Sequence, residues 1–146
     1  MKHNQKITRV QLKIDHEEDS IFLGLVCAEP DYKLSLLINN KLSISLKNIA
    51  PLKLGENPGT QLTFSRFSYS KKVHEISYNL FSNRSGKMFL LNKLKNVDYI
   101  FSVYDPDKIL NPESLTSAMR EIEIVNAVFY IDLLTFRDKN LHYITH

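Results

Sequence analysis

The stretch from Val97 to Leu133 constrains the fold more than any other part of the chain. Val97, Tyr99, Phe101 and Val103 alternate as one face of a strand does, and the pattern stops at Asp105-Pro106. Asn111 then reads as a helix N-cap, with Pro112 at the first helical position and Glu113 in the first turn. Leu115, Ala118, Met119 and Ile122 recur at helical spacing. Val125, Ala127, Phe129, Ile131 and Leu133 line one face of a second strand. Its other face, with Ile124, Val128 and Tyr130, is apolar too, which predicts a central strand. Strand 97–105, helix 112–122 and strand 124–134 thus form a β-α-β unit, and a right-handed crossover predicts parallel neighbours in one sheet.

The rest of the chain supplies strands and one further helix. Val10, Leu12 and Ile14 alternate with polar residues and read as a half-buried strand, followed by a solvated Glu17-Glu18-Asp19 turn. Residues 20–28 are apolar throughout and fit either a buried strand or a short helix. Pro30 opens a helix whose apolar face is Leu34, Leu37, Ile38 and Leu42, with Asn39-Asn40 a plausible end and Leu42, Ile44 and Leu46 an alternative strand start. Residues 55–59 form a loop. Residues 61–83 read as a β-hairpin turning at Ser70-Lys71-Lys72, with Ile76, Tyr78 and Leu80 on the buried face of the returning strand. A change of phase from Leu62 and Phe64 to Phe67 and Tyr69 predicts a bulge near Ser65-Arg66. Asn83-Arg84-Ser85-Gly86 is the next turn. The expected class is α+β: a mixed, mostly antiparallel sheet with two main helices and the C-terminal β-α-β unit, in one domain spanning residues 1–146. A ferredoxin-like arrangement is one form it could take.

Composition narrows the function classes. The chain is 43% hydrophobic and 24% charged, with four glycines and five prolines, which is globular usage. Residues 1–6 lack the apolar core of a signal peptide, and no apolar run approaches membrane-spanning length, so a cytoplasmic protein without membrane contact is expected. The single cysteine, Cys27, sits among apolar neighbours and reads as a buried small hydrophobe rather than a reactive thiol.

No catalytic or metal-ligating pattern emerges, and no cofactor is expected. The five histidines (His3, His16, His74, His142 and His146) stand without a second ligand at metal-binding spacing. There is no nucleophile elbow and no phosphate-cradling glycine loop. Glu121 and Glu123 bracket Ile122 as solvated flank charges. The balance falls against an enzyme.

Charge is unevenly distributed. Residues 61–96 hold seven Lys/Arg against the single acid Glu75, and residues 97–146 hold four Lys/Arg against eight Asp/Glu. Arg66, Lys71, Lys72, Arg84 and Lys87 interleave with Phe64, Phe67, Tyr69, Tyr78, Phe81 and Phe89, the cation-plus-aromatic mixture that single-stranded nucleic acid favours. Several of these aromatics occupy core-facing phases, however, and lysines at hairpin edges also guard against aggregation.

At residues 91–99, Leu-Asn-Lys-Leu-Lys-Asn-Val-Asp-Tyr, the chain resembles the motif of the IPExxxVDY family of uncharacterised proteins from Bacteroidetes-type bacteria. Val97, Asp98 and Tyr99 match the second half, whereas Leu91, Asn92 and Lys93 replace Ile, Pro and Glu. Asp31-Tyr32-Lys33-Leu34 with Asn39, the stretch 78–83, and Ile122, Val125, Ala127, Ile131-Asp132 and Asn140-Leu141 are similar to that family in order and spacing. The resemblance implies a cytoplasmic single-domain protein and carries no activity, cofactor or partner. Since Lys93 stands in place of an acid, no role of the motif glutamate transfers. The residues themselves suggest Val97 and Tyr99 as core anchors on one strand face. Asp98 then points the other way, to accept hydrogen bonds or pair with a cation from the basic half. Asp31 suits the positive end of a helix, before Tyr32.

These observations favour a non-enzymatic protein-interaction domain, binding an unidentified protein or a second copy of itself as a homodimer, with basic and acidic regions meeting across the contact. An RNA-binding protein using the region 61–96 is the alternative, and an enzyme with a dispersed site the third reading.

Overall fold

A computed structural model describes residues 19–55, 59 and 61–145. The strand expected over residues 10–14, with Glu17 and Glu18, lies outside the described residues. Ten elements follow in order: β1 (Ser20–Val26), α1 (Asp31–Leu42), β2 (Lys47–Leu54), β3 (Leu62–Ser70), β4 (Ser77–Ser82), β5 (Arg84–Ser85), β6 (Met88–Phe89), β7 (Tyr99–Tyr104), α2 (Pro112–Arg120) and β8 (Ala127–Tyr130). Six strands make one sheet in the order β2-β3-β4-β7-β1-β8, and every pairing is antiparallel. β5 and β6 form a separate small hairpin. The architecture is α+β, with a mostly antiparallel sheet and two helices.

The sheet is covered on both faces, which explains why its central strands are apolar throughout. Ile21, Leu23 and Leu25 of β1, with Tyr78, Leu80, Tyr99, Phe101 and Val103, meet Leu34 and Ile38 of α1 and Leu115 and Met119 of α2. The opposite face carries Phe22, Phe64, Phe81 and Ile100, and is closed by Leu90, Leu91 and Val97 from one side and Ile131, Leu133 and Ile144 from the other. Of residues 20–28, ambiguous by pattern, Ser20–Val26 are therefore a strand buried on both faces.

This two-sided burial corrects three expectations. Phe64 and Phe67 are both buried, but in different clusters, so the change of phase in β3 reflects two covered faces. A register irregularity does fall at Ser65, between the pairs Leu52–Phe64 and Ile49–Arg66, but its extra residue is on the neighbouring strand β2. Val97 and Tyr99 do not share a face either: Val97 joins the second cluster and Tyr99 the first. Finally, β7 and β8 are not parallel neighbours. Each pairs antiparallel with β1, which lies between them, so the crossover through α2 skips one strand. β1 needs a partner on both sides to satisfy its buried backbone, and that requirement displaces β8 to the sheet edge. β8 is also short, at four residues, and Ile131 and Leu133 just beyond it close the second core.

The helices are built as their sequences suggest. Asn111 Oδ1 accepts from the N–H groups of Glu113 and Ser114 at 2.9 and 3.1 Å, with Pro112 at the first position of α2. The Pro30 carbonyl accepts from Lys33 and Leu34, and a Glu29–Lys33 ion pair supports the first turn of α1. α1 runs beyond Asn39-Asn40 and ends at Ser43, at φ 55°. Asn39 instead uses both ends of its side-chain amide on Leu46, accepting from its N–H at 2.7 Å and donating to its carbonyl at 3.2 Å, which steers the chain into β2.

Candidate functional site

The family-like motif forms a saturated structural corner. Asp98 sits just ahead of β7, where its backbone N–H donates to Leu25 O and its carbonyl accepts from Asn83 N–H. One carboxylate oxygen accepts from the Cys27 N–H at 2.8 Å, and the other accepts from Arg84 Nε. Asp98 thus does pair with a cation from the basic half. Arg84 also donates to the Lys95 carbonyl and lies over the Phe89 ring. Beneath it, fully buried Asn83 donates to Leu94 O and Val97 O and accepts from the Leu91 N–H. All these groups hold the segment 90–97 against the sheet and leave no polar atom aimed at a ligand.

Tyr99 completes the corner by donating its hydroxyl to the Glu29 carbonyl at 2.8 Å. Burial raises its phenol above the ordinary value of 10.0, with the nearby charges of Asp31 and Asp98 and the Cys27 thiol adding to the effect. The fold disfavours the phenolate, so above about pH 10 the unfolded chain gives up this proton first. Stability is therefore complete below that pH and declines above it. Urea midpoints measured from neutral to strongly alkaline pH should fall in this window. Tyr99→Phe should cost about 1 kcal/mol at neutral pH and flatten the alkaline slope. Tyr78, also raised by burial, leaves part of that slope in place.

Asp31 accepts from the N–H of Tyr32 at 2.7 Å, whereas the Tyr32 ring is exposed and packs into neither core cluster. Cys27 is buried, and burial pushes its thiol above the ordinary value of 9.0.

The basic residues do not converge. Lys71 and Lys72 turn the hairpin at one end of β4, while Arg84 and Lys87 follow its other end, a six-residue strand or roughly 20 Å away. Arg66 lies over the Phe81 ring, 5.6 Å from its centre. Phe64, Phe67, Tyr78 and Phe81 are buried, and Tyr69 packs against the helix-covered core. Among the described residues no open aromatic platform accompanies the cations. Some of the charge asymmetry is also spent within the chain, through Arg84–Asp98.

The His74–Asp107 contact, 3.1 Å from Nδ1 to Oδ2, was invisible to spacing because the partners are 33 residues apart. Both side chains are about half exposed. Among the described residues no group of three or more His, Cys, Asp or Glu could hold a metal ion. Nor is any helix among them long and apolar enough to cross a membrane.

What stands out is the contrast between the two sheet edges. β2 carries Lys47 and Lys53, Pro51 and the register irregularity, all features that discourage strand addition. β8 has none of them: its sequence is Ala-Val-Phe-Tyr, with Phe129 44% and Tyr130 61% exposed. Ile131 N–H bonds to Phe22 O on β1, so by alternation the N–H and C=O of Val128 and Tyr130 face outward, with the Val128 carbonyl also accepting from Arg120 at 3.5 Å. Grooves flank this edge on both sides, one against α2 and the other against Asn96 and Phe136. Sequence reading missed this surface because the same residues were expected inside the sheet.

The fold and this surface define an α+β domain that has, among the described residues, one guarded and one open sheet edge. Comparison with known protein families, with curated proteins and with solved structures finds no match.

Proposed function

We propose that this chain is a protein-interaction domain whose working surface is the open edge β8, to which a partner polypeptide adds a strand. The observation that carries the reading is the unguarded edge itself: outward amides, exposed Phe129 and Tyr130, and no charge or proline within the strand. An edge left so is a template for pairing, and the other edge of the same sheet is guarded against it. Main-chain hydrogen bonds would supply affinity, and the flanking grooves would read alternate side chains of the added strand. Kinship with the IPExxxVDY proteins belongs to this proposal as well, supported by the Val97-Asp98-Tyr99 corner. So does a cytoplasmic location.

A photo-crosslinking amino acid at position 129 tests the reading in cells, with position 49 on the guarded edge as control. Position 129 should give a defined adduct with a polypeptide, and position 49 should not. Equal labelling at the two positions would remove the case for β8.

A further inference from the structure

We infer that the strand added to β8 comes from a second copy of this chain, related by a twofold axis normal to the sheet. The inference rests on the interaction reading above and names its partner. Antiparallel pairing of β8 with its copy, centred on Phe129, exchanges bonds between the outward groups of Val128 and Tyr130 and extends the sheet to twelve strands. The strand is uncharged, so self-pairing brings no like charges together. On the face away from the helices, Phe129 meets its own copy as a close, non-hydrogen-bonded pair.

The helix beside the edge supplies the evidence for a copy over any other partner. Glu113, Thr116, Ser117 and Arg120 fall at i, i+3, i+4 and i+7 on α2, and with Tyr130 they line the groove against β8. This stripe is acidic at one end, basic at the other and small in the middle. Neither Glu113 nor Arg120 has an ion-pair partner among the described residues; Arg120 reaches only the Val128 carbonyl, at 3.5 Å. A twofold axis at β8 lays α2 antiparallel to its copy, which sets Glu113 opposite the partner's Arg120 and Arg120 opposite the partner's Glu113. Thr116 and Ser117 leave room for the two helices to approach. An isologous contact requires self-complementarity of this kind.

Sedimentation equilibrium of the purified protein should give a dimer. Glu113→Arg should raise the dimer dissociation constant about tenfold or more, because it breaks two interfacial ion pairs at once. The double reversal Glu113→Arg, Arg120→Glu should bring it back toward the starting value. Circular dichroism controls for folding of each variant. Oxidation of Phe129→Cys, in a Cys27→Ser background, should lock the dimer through a disulfide, a readout that does not depend on the charges. A dimer indifferent to Glu113→Arg and not locked at position 129 would overturn the inference by placing the contact elsewhere. A monomer whose position 129 cross-links to a different polypeptide would overturn the inference and leave the interaction reading standing. A monomer with no adduct at position 129 would sink both.

Discussion

Asn83→Ala should cost about 3–5 kcal/mol of folding stability, since each buried polar group left without a partner costs about 1–3 kcal/mol. The Asn83 amide donates to Leu94 O at 2.9 Å and Val97 O at 2.8 Å, and accepts from Leu91 N–H at 2.8 Å. Alanine leaves the Leu91 N–H and the Val97 carbonyl without their partner, while Leu94 O keeps only the Val97 N–H, and the site is too enclosed for water to replace the amide freely, with Asn83 fully buried. That segment contributes Leu90, Leu91 and Val97 to the second core, so its loosening uncovers Phe81 and Ile100 as well. Asn83→Asp tests the same geometry differently: it retains the acceptor for Leu91 but turns an anion toward two carbonyls, and should be no better tolerated. Equilibrium urea unfolding measures both. A loss below about 1 kcal/mol for the alanine variant would mean that apolar packing alone holds the segment in place.

Gly24→Ala should destabilise by about 1–3 kcal/mol through overpacking. A Cβ built on Gly24 meets Val97 Cγ2 at 2.9 Å and Cγ1 at 3.2 Å, inside ordinary contact distance. Gly24 lies in β1, paired with Ile100 on one side and Phe129 on the other, so the backbone cannot withdraw without disturbing both ladders. The valine of the family-like motif therefore packs directly on a glycine in the middle of the sheet. Val97→Ala removes the clash at its source. The double variant should be more stable than the sum of the two single losses predicts, by about 1 kcal/mol or more, the mark of two residues in contact. Strict additivity would show that the strand shifts to accommodate the methyl group.

The elements that carried local signals were legible in the chain. α2 begins where Asn111 and Pro112 say it should, because a cap satisfies its own first turn and needs nothing distant. The hairpin of β3 and β4 and the buried face of Ile76, Tyr78 and Leu80 followed from alternation. Where the reading failed, a second covered face was the cause. Phase arguments assume one wet face, and here both faces are dry, so Phe64 and Phe67 read as a shift and Val97 as a face-mate of Tyr99. Asn83 looked like a turn residue, since three backbone partners 8, 11 and 14 residues away leave no periodic trace.

Residues 124–134 show most clearly how the determination divides. Their sequence by itself made them apolar on two faces and hence strand-forming beside a buried neighbour. Only the tertiary structure decided that β1, apolar from Ile21 to Val26, would occupy the place next to β7, because its buried amides demanded a partner on each side. Among the described residues β8 was left with one partner and one open edge. An apolar strand reads the same at the centre of a sheet as at its rim, and what distinguishes them is the presence of a second ladder, which no residue of the strand encodes.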